Sequence, residues 1–113
     1  MSSILVVDDN TDTMKNISDL LNIKGYKTYT ASDGREGLNK IKNNNPDCVI
    51  LDMKLPGIDG WEIMDRVQDK INAGMVVIII TAHGKVKSAV KEKKKGAYDF
   101  IEKPFNNEVL LLT

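Results

Sequence analysis

Four short strand-like runs in this chain lead into residues that can do chemistry. Residues 4–7 lead into Asp8 and Asp9, residues 48–51 into Asp52, residues 75–80 into Thr81, and residues 98–101 reach Lys103 two positions later. Brought together, these make three carboxylates, a hydroxyl and an ammonium. Carboxylates at close range repel, and each resists ionising beside the others. A hard divalent cation relieves that repulsion, and Mg²⁺ favours a few carboxylates with waters and phosphate oxygens. A carboxylate can also attack phosphorus and become an acyl phosphate. The transferring phosphoryl group spreads charge over three oxygens, for which a metal, a lysine and a hydroxyl are suitable partners. Each residue alone has a plainer reading. An aspartate after a strand commonly caps the next helix, Thr81 would be a turn residue, and Lys103 a solvated lysine. Their shared position at strand ends argues for the joint reading, because ligands of open parallel α/β sheets bind beyond the carboxyl ends of the strands.

The surrounding pattern predicts such a sheet. Ile4, Leu5, Val6 and Val7 form a short apolar run of the kind buried on both faces. Met14, Ile17, Leu20 and Leu21 share one face of a following helix, and Gly25 after Lys24 is its stop. Residues 27–30 make a weaker strand, expected at the sheet edge. Asp33 and Glu36 have capping-box spacing. Leu38 and Ile41 give the second helix a narrow apolar stripe, ended by Asn43, Asn44, Asn45 and Pro46. After Asp52, a loop with Leu55, Pro56, Gly57 and Gly60 leads to a third helix marked by Trp61, Met64, Val67 and Ile71. A fourth helix is predicted over residues 85–95, ending at Gly96, and a fifth begins at Asn106. Strands alternating with helices imply a parallel sheet with helices on both faces and right-handed crossovers. There is no linker or repeat, so residues 1–113 read as one domain. The last predicted helix has barely two turns where about three are usual, so the sequence reads as cut within it.

Lys+Arg and Asp+Glu number 16 each, giving a formal net charge of zero. That speaks against a polyanion binder, which carries a basic surplus, and direct nucleic-acid contact by this domain is not expected. Cys48 is the single cysteine; it builds no disulfide framework and reads as a small core residue. The run 75–80 is too short to span a bilayer, and the N-terminus has no signal pattern. A soluble, cytoplasmic protein without membrane attachment is expected. Lys91, Lys93, Lys94 and Lys95 leave the fourth predicted helix only Val86, Ala89 and Val90 to pack. They read as a solvated face with favourable charge at a helix C-terminus, with a partner-binding patch as the alternative.

The runs Leu5-Val6-Val7-Asp8-Asp9, Val49-Ile50-Leu51-Asp52-Met53-Lys54-Leu55-Pro56-Gly57, Ile80-Thr81-Ala82 and Gly96-Ala97-Tyr98-Asp99-Phe100-Ile101-Glu102-Lys103-Pro104-Phe105 together resemble the signature of response-regulator receiver domains. The resemblance covers essentially the whole chain. It implies an α/β, flavodoxin-like three-layer sandwich with a five-stranded parallel sheet of order 2-1-3-4-5. It implies a switch in a two-component phosphorelay rather than an enzyme acting on separate substrates. Asp52 would accept a phosphoryl group from a phosphohistidine on a sensor histidine kinase or phosphotransfer domain. Asp9 and Asp52 would bind Mg²⁺ directly (with Mn²⁺ as a substitute), Asp8 would act mainly through a water, and the backbone carbonyl of Lys54 would be a further ligand. Thr81 and Lys103 would hold phosphoryl oxygens, with Lys103 turned inward by a cis bond to Pro104. Phe100 would be the aromatic switch, moving inward as Thr81 moves toward the phosphoryl group. The face of the fourth helix, fifth strand and fifth helix would change, and a homodimer would form through it. Lys54 and His83, two residues after Asp52 and Thr81, would flank the path of a hydrolytic water, with His83 read first as a bystander and, when protonated, as a second cover. Lys54 is a pure donor, so it would cover that path and lengthen the lifetime of the phosphoryl group.

Two other readings fit less well. A haloacid-dehalogenase-type phosphatase needs a second aspartate two residues after its nucleophile, where this chain has Lys54. A flavodoxin-like cofactor binder needs hydroxyls and glycines after the first strand, where Asp8 and Asp9 would repel a phosphate.

Overall fold

The computed structural model describes residues 2–52, 55, 57–58, 60–81 and 99–102. In chain order these form β1 (Ser3–Val7), α1 (Thr11–Ile23), β2 (Lys27–Ala31), α2 (Gly34–Asn44), β3 (Cys48–Asp52), α3 (Gly60–Arg66), α4 (Gln68–Asn72), β4 (Val76–Thr81) and β5 (Asp99–Glu102). The five strands make one sheet in the order β2-β1-β3-β4-β5, and every neighbouring pair is parallel. The predicted order and fold class are those observed. The helices predicted over 85–95 and from Asn106 lie outside the described residues, as does the Lys103–Pro104 bond.

Alternation along the strands divides the core in two. Leu5, Val7, Val49, Leu51, Val77 and Ile79 point to one side and pack with Leu38 and Ile41 of α2, Ile63 and Met64 of α3, and Val67. Ile4, Val6, Ile50, Ile78 and Ile80 point to the other side and pack with Ile17 and Leu21 of α1. Both faces are covered, which is why the central strands read as unbroken apolar runs rather than alternating ones. β2 lies at the sheet edge as predicted, with Lys27 exposed and only Ala31 fully buried.

Helix ends follow local chemistry. Asn10 caps α1, its side chain accepting from the Thr13 amide at 3.0 Å. Gly25, in the left-handed region at φ +94°, follows the last turn of α1, where a side chain would be strained. Asp33 caps α2 by accepting from the Glu36 amide at 2.8 Å. Glu36 reaches back to the amide of Ser32 at 2.8 Å, one residue before the cap, so the capping box is shifted by one position. Asn45 ends α2 in the left-handed conformation.

The predicted third helix is interrupted. It forms as α3 and α4, with Val67 between them at φ −113°, ψ 21°. Val67 remains buried, and the Val67 amide to Ile63 carbonyl and Ile71 amide to Val67 carbonyl bonds bridge the break. The Gln68 side-chain amide also donates to the Met64 carbonyl at 3.1 Å. The apolar spacing is kept through the interruption, so the pattern alone cannot reveal it.

Candidate functional site

Asp8 and Asp52 come together because β1 and β3 are neighbours and their ladder runs to the pair Val7 and Leu51. The next residue on each strand is an aspartate. On the other side of β3, Asp52 pairs with Ile80, and Thr81 follows at the end of β4. Thr81 in turn pairs with Glu102, the last residue of β5, and Lys103 comes next in the chain. Register alone therefore delivers Asp8, Asp52 and Thr81 to the carboxyl edge of the sheet.

Carboxylate oxygens of Asp8, Asp9 and Asp52 lie within 4.8 Å of one another. Asp8 is fully buried, Asp52 is 6% exposed and Asp9 is exposed. Neither Asp8 nor Asp9 is the helix cap that a strand-end aspartate commonly becomes, since Asn10 has that role. Asp52 precedes α3 by eight residues and does not cap it either. Asp8 is instead held in place. Its own amide donates to the Ala31 carbonyl at 3.1 Å, and its carboxylate accepts from the Asn10 amide at 2.9 Å. Two buried carboxylates at this range repel by about 3 kcal/mol at an effective dielectric near 20 when both are ionised. Positive charge supplied nearby offsets that repulsion.

The donor set is a test of which cation would suit the place. Among the described residues the group consists of carboxylates, hard anionic oxygens of the kind Mg²⁺ takes. The exposed Asp9 leaves one side of the group open to solvent and to an incoming ligand.

The remaining predicted site residues divide by position. Thr81 and Phe100 occur in β4 and β5, with Phe100 paired to Ile79, while their side chains fall outside what is described. Lys54, His83 and Lys103 lie outside the described residues. Asn10 is a contributor that sequence reasoning passed over. It both caps α1 and, through its amide, orients Asp8. The signal was present, since an Asn directly before a helical run is a strong cap. Cys48 takes no part. Its thiol, half-buried at the far end of β3, is pushed up to about 11 by burial and then by the charge of Asp47, which keeps it protonated and unreactive at neutral pH.

The same arrangement recurs in known proteins. Residues 4–113 match the response regulator receiver domain family. The chain is 38% identical over 103 residues to sporulation initiation phosphotransferase F of Bacillus subtilis (strain 168), covering 91% of this chain and 82% of that protein. It is 38% identical over 111 residues to nitrogen assimilation regulatory protein NtrX of Azorhizobium caulinodans, covering 96% of this chain and 24% of that one. The chain thus spans about a quarter of the length of that regulator. Among solved structures, a response regulator receiver domain protein from Clostridium thermocellum superposes with a TM-score of 0.89 at 38% identity, covering 99% of this chain and 90% of that one. The carboxylate group sits where receiver domains bind Mg²⁺, and such domains are switches that work with histidine kinases or phosphotransfer partners. With the sheet order, the acidic edge and the match along its length in agreement, the chain belongs to the response regulator receiver domains of two-component signalling.

Proposed function

We propose that this domain accepts a phosphoryl group on Asp52 from the phosphohistidine of a sensor histidine kinase or phosphotransfer domain. The observation that carries the reading is the position of Asp52. It is a nearly buried carboxylate ending a central strand, within 4.8 Å of two others. In the transfer, a bond forms between an Asp52 carboxylate oxygen and phosphorus as the donor's nitrogen–phosphorus bond breaks. The imidazole leaves with that electron pair and later takes up a proton from solvent. Asp8, Asp9, Asp52 and the backbone carbonyl of Lys54 are the groups that would hold Mg²⁺, or Mn²⁺ in its place. The bound cation supplies positive charge to the phosphoryl oxygens and offsets the repulsion among the carboxylates. The Thr81 hydroxyl donates to one phosphoryl oxygen and the Lys103 ammonium to another. Burial keeps competing water from Asp52 while Asp9 leaves the approach open.

Phosphorylation draws Thr81 inward and lets Phe100 follow, changing the face that comprises residues 85–95, β5 and the segment from residue 106. A second copy of the domain docks through that face. Net charge of zero gives the domain no attraction for nucleic acid. It works in the cytoplasm, where its donor is charged. The reading is tested by incubating wild type and Asp52→Asn with acetyl phosphate and Mg²⁺ and measuring intact mass. Wild type should gain one phosphoryl group and the variant none; equal labelling of both overturns it.

A further inference from the structure

The first residue of α2 lies against the loop that leaves the phosphoacceptor strand. Gly34 is buried, and a Cβ built on it would stand 1.9 Å from the backbone oxygen of Ile58 and 2.8 Å from its carbonyl carbon. Ordinary contact begins near 3.4 Å, so any side chain at position 34 would push the two backbones apart by about 1.5 Å. Gly34 is helical, without the positive φ that would call for glycine on backbone grounds. Alanine would otherwise be the better helix former there. The close approach is therefore what position 34 accommodates.

Ile58 belongs to the seven-residue crossing from Asp52 to α3, and its side chain and that of Leu55 pack on the α2–α3 core. Among the described residues of the crossing, Leu55 and Ile58 pack on the core, and the Ile58 backbone lies against Gly34. The crossing also carries Lys54, whose carbonyl is among the proposed cation ligands. Misplacing reacting or coordinating groups by about 1 Å commonly costs a hundredfold in rate.

We infer that Gly34 is a positioning residue for phosphoryl transfer: its contact with the Ile58 backbone fixes the loop after Asp52 in the geometry that binds the divalent cation and accepts phosphate. The inference rests on the reading of Asp52 as phosphoacceptor.

A comparator separates positioning from stability. Gly37 is on the same helix, and the nearest atoms to its added Cβ are those of the Val7 side chain, at 3.1 Å. Gly37→Ala perturbs helix packing against β1, where its nearest neighbour is Val7 rather than Ile58. The experiment titrates Mg²⁺ into wild type, Gly34→Ala and Gly37→Ala, following Tm and Trp61 fluorescence, and measures acetyl-phosphate labelling well below each Tm. Gly34→Ala should weaken Mg²⁺ binding and slow labelling at least tenfold, while Gly37→Ala lowers Tm with Mg²⁺ affinity within about twofold of wild type. Ile58→Ala, which removes an anchor and adds no atoms, should give the same Mg²⁺ and labelling defect, and it decides the matter if Gly34→Ala does not fold. Wild-type affinity and rate in a folded Gly34→Ala, or in Ile58→Ala when it alone folds, overturn the positioning role. An equal loss of affinity in Gly37→Ala overturns it too. If wild type takes no label at all, the phosphoacceptor reading itself fails, and the positioning role with it.

Discussion

At the scale of single residues, the strand-end aspartates differ in burial, and that difference suits them to different tasks. Asp8 is enclosed and held by the Asn10 amide, Asp52 is nearly enclosed, and Asp9 faces solvent. A buried pair with an open third member can hold a cation and still admit a phosphodonor. Once Asp52 is phosphorylated, the lifetime of the acyl phosphate depends on access of water in line with the oxygen–phosphorus bond. Lys54 is two residues beyond Asp52. We propose that Lys54, a pure donor, pairs with a phosphoryl oxygen and covers that line. Slow autodephosphorylation follows, with Lys54→Asn losing its phosphoryl group several-fold faster, since the amide can orient water. Decay in Mg²⁺ after donor removal, wild type beside variant, checks this. An equal or slower decay in the variant would reduce Lys54 to a solvated loop lysine.

At the scale of elements, the caps and the register carry the site. Asn10 frees the preceding aspartates by capping α1 itself. Asn10→Ala should cost about 1 kcal/mol, lowering Tm by roughly 4 °C in a domain of this size, and Asn10→Ser should recover most of that. Thermal melts decide it: no loss in the alanine variant would mean the cap is dispensable. Much of this level was legible beforehand. The run Ile4–Val7 ending on two aspartates, and Asp33 three residues before Glu36, declare strand and cap through chain-local chemistry. The interruption at Val67 was not legible, because Met64, Val67 and Ile71 keep their apolar spacing while the backbone between them departs from the helix. Nor was the reason for glycine at position 34, which depends on a neighbour 24 residues later in the chain.

At the scale of the whole molecule, folding brings Asp52 within 4.8 Å of the adjacent Asp8 and Asp9, from which it is distant in the unfolded chain. A cation that binds only the folded site stabilises it by mass action, by about 1.4 kcal/mol at ten times its Kd. Mg²⁺ should therefore raise Tm by several degrees, and the shift should shrink in Asp9→Asn. An unchanged midpoint at saturating Mg²⁺ would contradict the cation site. The acidic edge could be read from the sequence because Asp8 and Asp9 follow one apolar run and Asp52 ends another, while the sheet order came from the resemblance to receiver domains. The central claim is that one of these carboxylates, Asp52, becomes an acyl phosphate. The most direct measurement is borohydride reduction of the acetyl-phosphate-treated protein followed by peptide mass spectrometry, since reduction converts an aspartyl phosphate to homoserine. The account predicts homoserine at position 52 and at no other aspartate; homoserine at Asp8 or Asp9, or none in protein that has gained a phosphoryl group, would contradict it.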